Sequence, residues 1–101
     1  MSGIADDAPL ALHLVVSGRV QGVGYREWAR RQAVARGLRG WVRNRSDGTV
    51  EMVVAGAPDA VNEMAAICRS GPPLAEVAAV AARPAARDEP DGQGFAILPT
   101  R

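Results

Sequence analysis

Apolar residues near the start of the chain recur at every second position, which is the period of a β-strand. Leu12, Leu14 and Val16 occupy alternate positions in a run without acids or arginines. Side chains two residues apart point to the same face of a strand, so these three are predicted to face the core. Gly18 interrupts the pattern, and the strand is predicted to end there.

The spacing of apolar residues then changes to that of a helix. Glu27 to Arg36 contains neither Gly nor Pro and places small apolar residues on one stripe, which predicts a short amphipathic helix closed by Gly37. Two further strands are predicted over Gly40 to Arg45 and Thr49 to Ala55. The Ser-Asp-Gly sequence at 46–48 is typical of a tight turn, so these two strands are expected to form a hairpin.

The rest of the chain repeats the alternation of helix and strand. Pro58 begins a helix whose apolar residues recur at three- and four-residue spacing as far as Cys68. Glu76 to Arg83 is small and apolar, and its β-branched residues favour a strand over a helix only weakly. A polar loop from Pro84 to Gly94 then precedes a short last strand, Phe95 to Leu98.

The order of the predicted elements indicates an α+β fold. Strand, helix, strand, strand, helix, strand is the split βαβ order (βαββαβ) of the ferredoxin-like sandwich, with two helices on one face of a mostly antiparallel sheet. The last strand is a short C-terminal addition. We expect residues 1–9 to be a flexible N-terminal segment and residues 10–101 to be a single domain. Because this architecture supports many functions, it does not by itself indicate one.

The composition excludes several kinds of chemistry. All twelve basic residues of the 101-residue chain are arginines, so lysine Schiff bases and the lysine of phosphate-binding P-loops are excluded. Biased codon usage would also account for the missing lysines. A single Cys and a single His rule out an internal disulfide, a multi-cysteine metal site and any site that needs two histidines.

Charge is distributed unevenly along the chain. Residues 19–45 contain eight arginines and one acid, whereas residues 46–101 contain four arginines and eight acids. The first half is therefore expected to attract an anionic ligand. No apolar run is long enough to span a membrane, and the first nine residues do not resemble a targeting signal, so we expect a cytoplasmic protein.

Candidate chemistry is concentrated between the first strand and the first helix. Gly18, Gly22 and Gly24 allow backbone amides to approach a ligand closely, and the helix N-terminus adds unpaired N–H groups. At the end of this segment, Arg26 can hold two phosphate oxygens with one planar guanidinium group. An ordinary glycine-rich turn followed by a solvated arginine would have the same sequence pattern.

A second candidate lies at the end of the second predicted strand. Asn44 is unusual there, because Asn is depleted in strands and its amide needs partners for both its donor and its acceptor. A simpler structural interpretation is that Asn44 begins the turn that follows the strand.

The remaining polar and aromatic residues are predicted to be structural. Cys68 is expected to be a buried small apolar residue, and His13 lies in the middle of a strand with no partner evident in the sequence. Trp28 and Trp41 are predicted to pack around the first helix. The other arginines of that helix are expected to be solvated, namely Arg30, Arg31 and Arg36.

Two segments together resemble the signatures of the acylphosphatase family. They are GRVQGVGYR at residues 18–26 and GWVRNRSDGTVE at residues 40–51. The resemblance is strong over roughly residues 12–57 and looser over the second helix and the last two strands. It implies an enzyme that hydrolyses the carboxyl–phosphate bond of small-molecule acyl phosphates, with inorganic phosphate as a product.

The resemblance also implies roles for individual residues. The arginine that binds the substrate phosphate falls on Arg26, and the asparagine that positions the attacking water falls on Asn44. The loop whose backbone amides surround the phosphate falls on Val20, Gln21, Gly22, Val23, Gly24 and Tyr25. No carboxylate cluster is evident in the sequence, so we expect no metal and no other cofactor. We also expect a monomer that does not bind nucleic acid or membranes.

Two other interpretations remain open at this point. One is a non-catalytic module of the same fold that binds anions or nucleic acid through the arginine-rich stretch. Against it, readers of RNA with this fold place aromatic residues on the sheet, where the predicted strands offer only Trp41 and Phe95. The other is a regulatory or carrier-processing domain of a larger enzyme, which the single-domain length makes less favourable.

Overall fold

The computed structural model describes residues 8–86 and 92–101, and these form strands and helices in the predicted order. The elements are β1 (Leu10–Arg19), α1 (Tyr25–Ala35), β2 (Arg39–Asn44), β3 (Val50–Gly56), α2 (Pro58–Cys68), β4 (Glu76–Pro84) and β5 (Phe95–Ile97). Most of the predicted flexible segment 1–9, and residues 87–91 of the predicted loop before β5, lie outside the described residues.

The five strands form one sheet in the order β4-β1-β3-β2-β5. Every neighbouring pair is antiparallel except β2 and β5, which are parallel, so the prediction of a mostly antiparallel sheet is confirmed. Helix α1 connects β1 to β2 past the intervening β3, and α2 connects β3 to β4 past the intervening β1. This is the predicted split βαβ arrangement.

One face of the sheet is covered by both helices. Cross-strand register places Leu14, Met52 and Val42 side by side on this face, and all three are fully buried. The helices contribute the opposite side of the same core through Ala29, Ala33, Val61, Met64 and Cys68. Most of these side chains are small, so the helices approach the sheet closely. None of the described helices has the length and apolar character that crossing a membrane requires.

Strand β1 continues through Gly18, and the prediction that it ends there is wrong. Ser17 pairs with Ala79 and Gly18 pairs with Val77, so Ala78 is an extra residue that forms a β-bulge. At Gly18 φ is 115°, and a Cβ atom would overlap the carbonyl oxygen of Glu76. The glycine therefore permits a close approach of β4, and this is why it does not break the strand.

The other face of the sheet carries a polar cluster that the sequence did not indicate. The Nε2 atom of His13 lies 2.7 Å from Oε2 of Glu51, and Nε of Arg43 donates to Oε1 of Glu51 at 2.8 Å. The guanidinium carbon of Arg43 lies 4.6 Å from the ring centroid of Trp41. Trp41 is thus on the face opposite to the helices, and the prediction that it packs around the first helix is wrong.

Candidate active site

The chain topology brings the two candidate segments to one edge of the sheet. Strands β1 and β2 are both antiparallel to β3, so they run in the same direction and their carboxyl ends lie at the same edge. The glycine-rich loop 20–24 follows β1, and Asn44 is the last residue of β2. Two segments that are separated in sequence therefore meet where α1 begins.

A cavity of about 280 Å³ lies at this edge, between the loop, the first turn of α1 and the ends of two strands. Its lining includes both side chains that the sequence singled out, Arg26 and Asn44. The described residues that line it are Val20, Gly22, Gly24, Tyr25, Arg26, Glu27, Asn44 and Ile97.

The N-terminus of α1 supplies backbone donors to this cavity. Gly24 is the N-cap residue and has the left-handed conformation, with φ 82° and ψ 19°. No side chain of a described residue caps the helix, and the first helical hydrogen bond runs from Trp28 N to Gly24 O at 3.1 Å. The first N–H groups of the helix therefore lack a side-chain cap at the cavity, where an anion would be attracted to them.

Arg26 differs from the other arginines of α1 in its surroundings. Arg30 and Arg31 both donate to the carboxylate of Glu27, at 2.7 to 2.9 Å, and Arg36 donates to Glu63 at 2.7 Å. All three are ion-paired, and the side chains of Arg30 and Arg31 are solvated as predicted, with 38% and 73% of their surface exposed, whereas that of Arg36 is mostly buried at 21%. Within residues 8–86 and 92–101, no hydrogen bond or ion pair occupies the half-buried guanidinium group of Arg26. That group remains available to an anionic ligand.

Asn44 is held by its backbone and leaves its side chain available. Its carbonyl oxygen accepts a hydrogen bond from Arg101 N at 3.0 Å. Among the described residues, none forms a hydrogen bond with its side-chain amide, which lines the cavity. The amide can therefore both donate to and accept from a ligand or a water molecule.

Two residues of the predicted phosphate loop do not line the cavity. Val23 packs against the hydrophobic core. The side-chain amide nitrogen of Gln21 donates to the carbonyl oxygens of Arg45 and Thr49, at 2.8 and 2.9 Å. Gln21 thus connects the loop to the turn between β2 and β3, a contact between distant segments for which the sequence carries no local signal.

The carboxyl and phenol groups at the cavity have pKa values shifted away from neutral pH. Hydrogen bonds from Arg30 and Arg31 lower the pKa of Glu27 to about 2. Burial raises the pKa of Tyr25, and its hydroxyl donates to the carbonyl oxygen of Cys68 at 2.7 Å. Sequence reasoning had not placed Glu27 or Ile97 at the site, because only the packing of α1 and β5 brings them there.

The described residues offer no evident metal site. Across residues 8–86 and 92–101, no three His, Cys, Asp or Glu side chains are grouped closely enough to hold a metal ion. The acid at the cavity, Glu27, is already bound by two arginines. The cationic and dipolar groups of this site are Arg26, the amide of Asn44 and backbone N–H groups.

Comparisons with known proteins agree with these observations. The family model described as Acylphosphatase matches residues 12–97. An acylphosphatase of Bradyrhizobium diazoefficiens is 52% identical over 93 residues, which cover 88% of this chain and 94% of that protein. The structure of an acylphosphatase from Coxiella burnetii is similar with a TM-score of 0.84 at 36% identity, covering 89% of this chain and 93% of that one. The acylphosphatase from Bacillus subtilis gives a TM-score of 0.82 at 34% identity, covering 88% and 98%. A match of this extent, on a fold whose cavity joins both signatures, means that the chain belongs to the acylphosphatase family of hydrolases.

Proposed function

We propose that the chain hydrolyses the carboxyl–phosphate bond of acyl phosphates to a carboxylate and inorganic phosphate. In this proposal Arg26 and the backbone amides of the loop 20–25 hold the phosphate, and Asn44 positions the water that attacks phosphorus in line with the leaving group. The loop residues whose place at the cavity supports this are Val20, Gly22, Gly24 and Tyr25. The observation that carries the proposal is that the side chains of Arg26 and Asn44, which have no hydrogen-bond or ion-pair partner among the described residues, line one cavity with the N-terminus of α1.

The inventory of titratable groups supports acyl phosphates over phosphate esters of alcohols. An alkoxide leaving group needs a proton from a general acid, whereas a carboxylate is stable without one. The lining carboxyl group of Glu27 has a pKa of about 2, and burial raises the pKa of the Tyr25 phenol. Neither is suited to donate a proton at neutral pH, so the site favours a substrate whose leaving group needs none.

Arg26 and the backbone amides supply the electrostatic part of the reaction. Phosphoryl transfer mainly requires the phosphate to be positioned and the charge on its equatorial oxygens to be stabilised. A planar guanidinium can donate to two of these oxygens at once, and the N–H groups at the start of α1 can donate to others. We therefore propose that the reaction proceeds without a metal ion.

Asn44 acts in this proposal by orientation. Its amide does not titrate, so it cannot remove a proton from water, but it can hold the water by hydrogen bonds near attacking geometry. Favourable orientation is worth up to about 7–11 kcal/mol in model reactions. The proton of the attacking water passes to an oxygen of the substrate phosphate.

The assay that tests the proposal measures benzoyl phosphate hydrolysis by wild type and by Arg26→Lys, each with and without a metal chelator. We expect the chelator to have no effect, and the lysine variant to lose about 100-fold or more in kcat/KM, because it keeps the charge but not the two-pronged donor. Arg83→Lys is the matched control, since Arg83 is exposed on β4 and pairs with His13 in the first half of β1, whereas the cavity lies beyond the carboxyl end of that strand. Wild-type activity in Arg26→Lys would contradict the assignment.

The alternative of a non-catalytic nucleic-acid module is less well supported. Phe95 faces the helices, since it lies in register with Gly40, and Trp41 is covered by Arg43 on the open face. Neither ring is presented for base stacking. We propose a cytoplasmic monomer that does not bind nucleic acid. Salt-dependent binding of an oligonucleotide would contradict that part of the proposal, and a dimeric mass in solution would contradict the monomer.

A further inference from the structure

The cavity is larger than a phosphate group requires. A phosphate displaces roughly four waters, one for each oxygen, which is on the order of 120 Å³ at about 30 Å³ each. The cavity measures about 280 Å³, so more than half of it is left for the remainder of a substrate. In an acyl phosphate that remainder is the acyl group.

Ile97 provides an apolar surface on the part of the cavity formed by β5. It is 40% exposed and is in register with Val42, so its side chain lies on the same face of the sheet as Val42 and Asn44. In the part of the chain that the structure describes, the other exposed large apolar residues are Val34 and Leu74, and neither lines the cavity. Ile97 thus exposes apolar surface at the place where the groups that recognise phosphate also converge.

Ile97 and Asn44 line the same cavity from the neighbouring strands β5 and β2. Ile97 lies one strand across and two residues back from Asn44, which places their Cα atoms about 8 Å apart by the spacing of strands and residues in a sheet. Water held by Asn44 on one side of phosphorus directs the leaving carboxylate, and the acyl group attached to it, to the other side.

We propose that Ile97 forms the wall of an acyl-binding subsite that favours acyl phosphates with an aromatic or branched apolar acyl group over small or polar ones. This inference rests on the proposed hydrolysis of acyl phosphates. Val20 and Tyr25 also line the cavity but are at most 2% exposed, so Ile97 offers most of the apolar side-chain surface that a substrate can cover. An acetyl group covers less of this surface than a benzoyl group does.

The test compares two substitutions of nearly equal shape at one position. Ile97→Val and Ile97→Thr both keep a β-branched side chain that suits β5, but only the threonine makes the wall polar. For each variant, kcat/KM is measured with benzoyl phosphate and with acetyl phosphate, together with the inhibition constant of inorganic phosphate. Leu74→Thr is the control, because Leu74 is 71% exposed and lies outside the cavity.

We expect Ile97→Thr to lower the ratio of the two kcat/KM values, benzoyl over acetyl, by about three- to tenfold relative to Ile97→Val, since apolar pockets discriminate by small factors for each group. The inhibition constant of phosphate should stay within about twofold of wild type, because phosphate has no acyl group. The Leu74→Thr control should keep the wild-type ratio.

Three results would overturn the inference. Equal losses with both substrates would mean that Ile97 acts through the integrity of β5. An unchanged ratio would mean that the acyl group does not contact Ile97. If wild type hydrolysed neither substrate, the proposed function would fail first, and the inference would fail with it.

Discussion

The arginines of α1 cannot be distinguished by residue type, but in the structure their side chains have different contacts. Arg30 and Arg31 follow Arg26 on α1 by one turn, yet both are engaged by Glu27, which lies beside Arg26 in the chain. That pairing also offsets the negative charge of Glu27, which lines the cavity and would otherwise repel an anionic substrate. Arg26 therefore differs from Arg30 and Arg31 in its availability to a ligand because of the residues around it, since all three have the same guanidinium group.

The proposed role of Asn44 predicts that its substitution affects kcat but not the binding of phosphate. We expect Asn44→Ala to lower kcat for benzoyl phosphate by about 100-fold or more, because water loses its orientation. The inhibition constant of inorganic phosphate should stay within about threefold, since Arg26 and the amides still hold the anion. Asn62→Ala, on an exposed position of α2, is the control. If phosphate bound far more weakly to Asn44→Ala, the water-positioning role would be wrong.

At the scale of elements, the site depends on how the glycine-rich loop is attached to the β2–β3 hairpin. Gln21 makes this connection with two hydrogen bonds to backbone carbonyls on either side of the turn. In the proposed function the loop supplies the amides and the hairpin supplies Asn44, so the Gln21 side chain is expected to set the distance between the parts proposed to hold phosphate and water. We regard Gln21 as a positioning residue, because its side-chain amide nitrogen donates hydrogen bonds to two backbone carbonyls of the protein.

Replacing Gln21 by Met keeps its length and removes both donors. We expect the melting temperature to fall by about 4–12 °C, which corresponds to roughly 1–2 kcal/mol for a domain of this size. At a temperature where the variant is folded, kcat should fall about tenfold while KM changes by less than threefold. Gln93→Met, at an exposed position before β5, should show neither effect. A loss confined to KM would indicate that Gln21 contacts the substrate instead.

At the scale of the whole molecule, the three central strands are joined on the open face by one carboxylate. Glu51 on β3 accepts from Arg43 on β2 and is hydrogen-bonded to His13 on β1. Burial alone would raise the pKa of Glu51, but the hydrogen bonds to His13 and Arg43 outweigh it and hold the pKa below its usual value. The ionised carboxylate is therefore stabilised by folding.

This pairing makes stability depend on pH in a predictable direction. A carboxyl group whose pKa is lowered by folding contributes its stability above the unfolded pKa and loses it as the pH falls through the folded pKa. We expect the wild-type free energy of unfolding, measured in urea, to decrease on acidification from pH 5 to pH 3. Glu51→Gln should be less stable by about 2 kcal/mol at pH 7 and should lose less on acidification.

The control for this measurement is Glu76→Gln, which changes an exposed carboxylate at the edge strand. It should retain both the stability of the wild type at pH 7 and its dependence on pH. If Glu51→Gln kept the full wild-type slope between pH 5 and pH 3, the acid sensitivity would have to come from other carboxylates.

The order of the elements was predictable because each is specified by local pattern. The alternation around Leu14 predicts a strand and the stripe that includes Ala29 predicts a helix, since each burial pattern has its own period. Boundaries were less predictable. Helix α1 begins at Tyr25, two residues before the predicted start at Glu27, and β1 passes through Gly18, because pairing with β4 outweighs the local preference of glycine.

The amino-acid order alone specifies the split βαβ arrangement, and its two signature segments indicate Arg26 and Asn44 as the residues that matter. Only the tertiary structure decides what these residues can do. It pairs Arg30 and Arg31 with Glu27 while leaving Arg26 available, and it brings Ile97 to the cavity through β5, the last strand in the chain. Local patterns in the sequence reflect the periodicity of a single helix or strand. The ion-pair partners of an arginine, the availability of the Asn44 amide and the position of Ile97 at the cavity depend instead on which distant segments pack together.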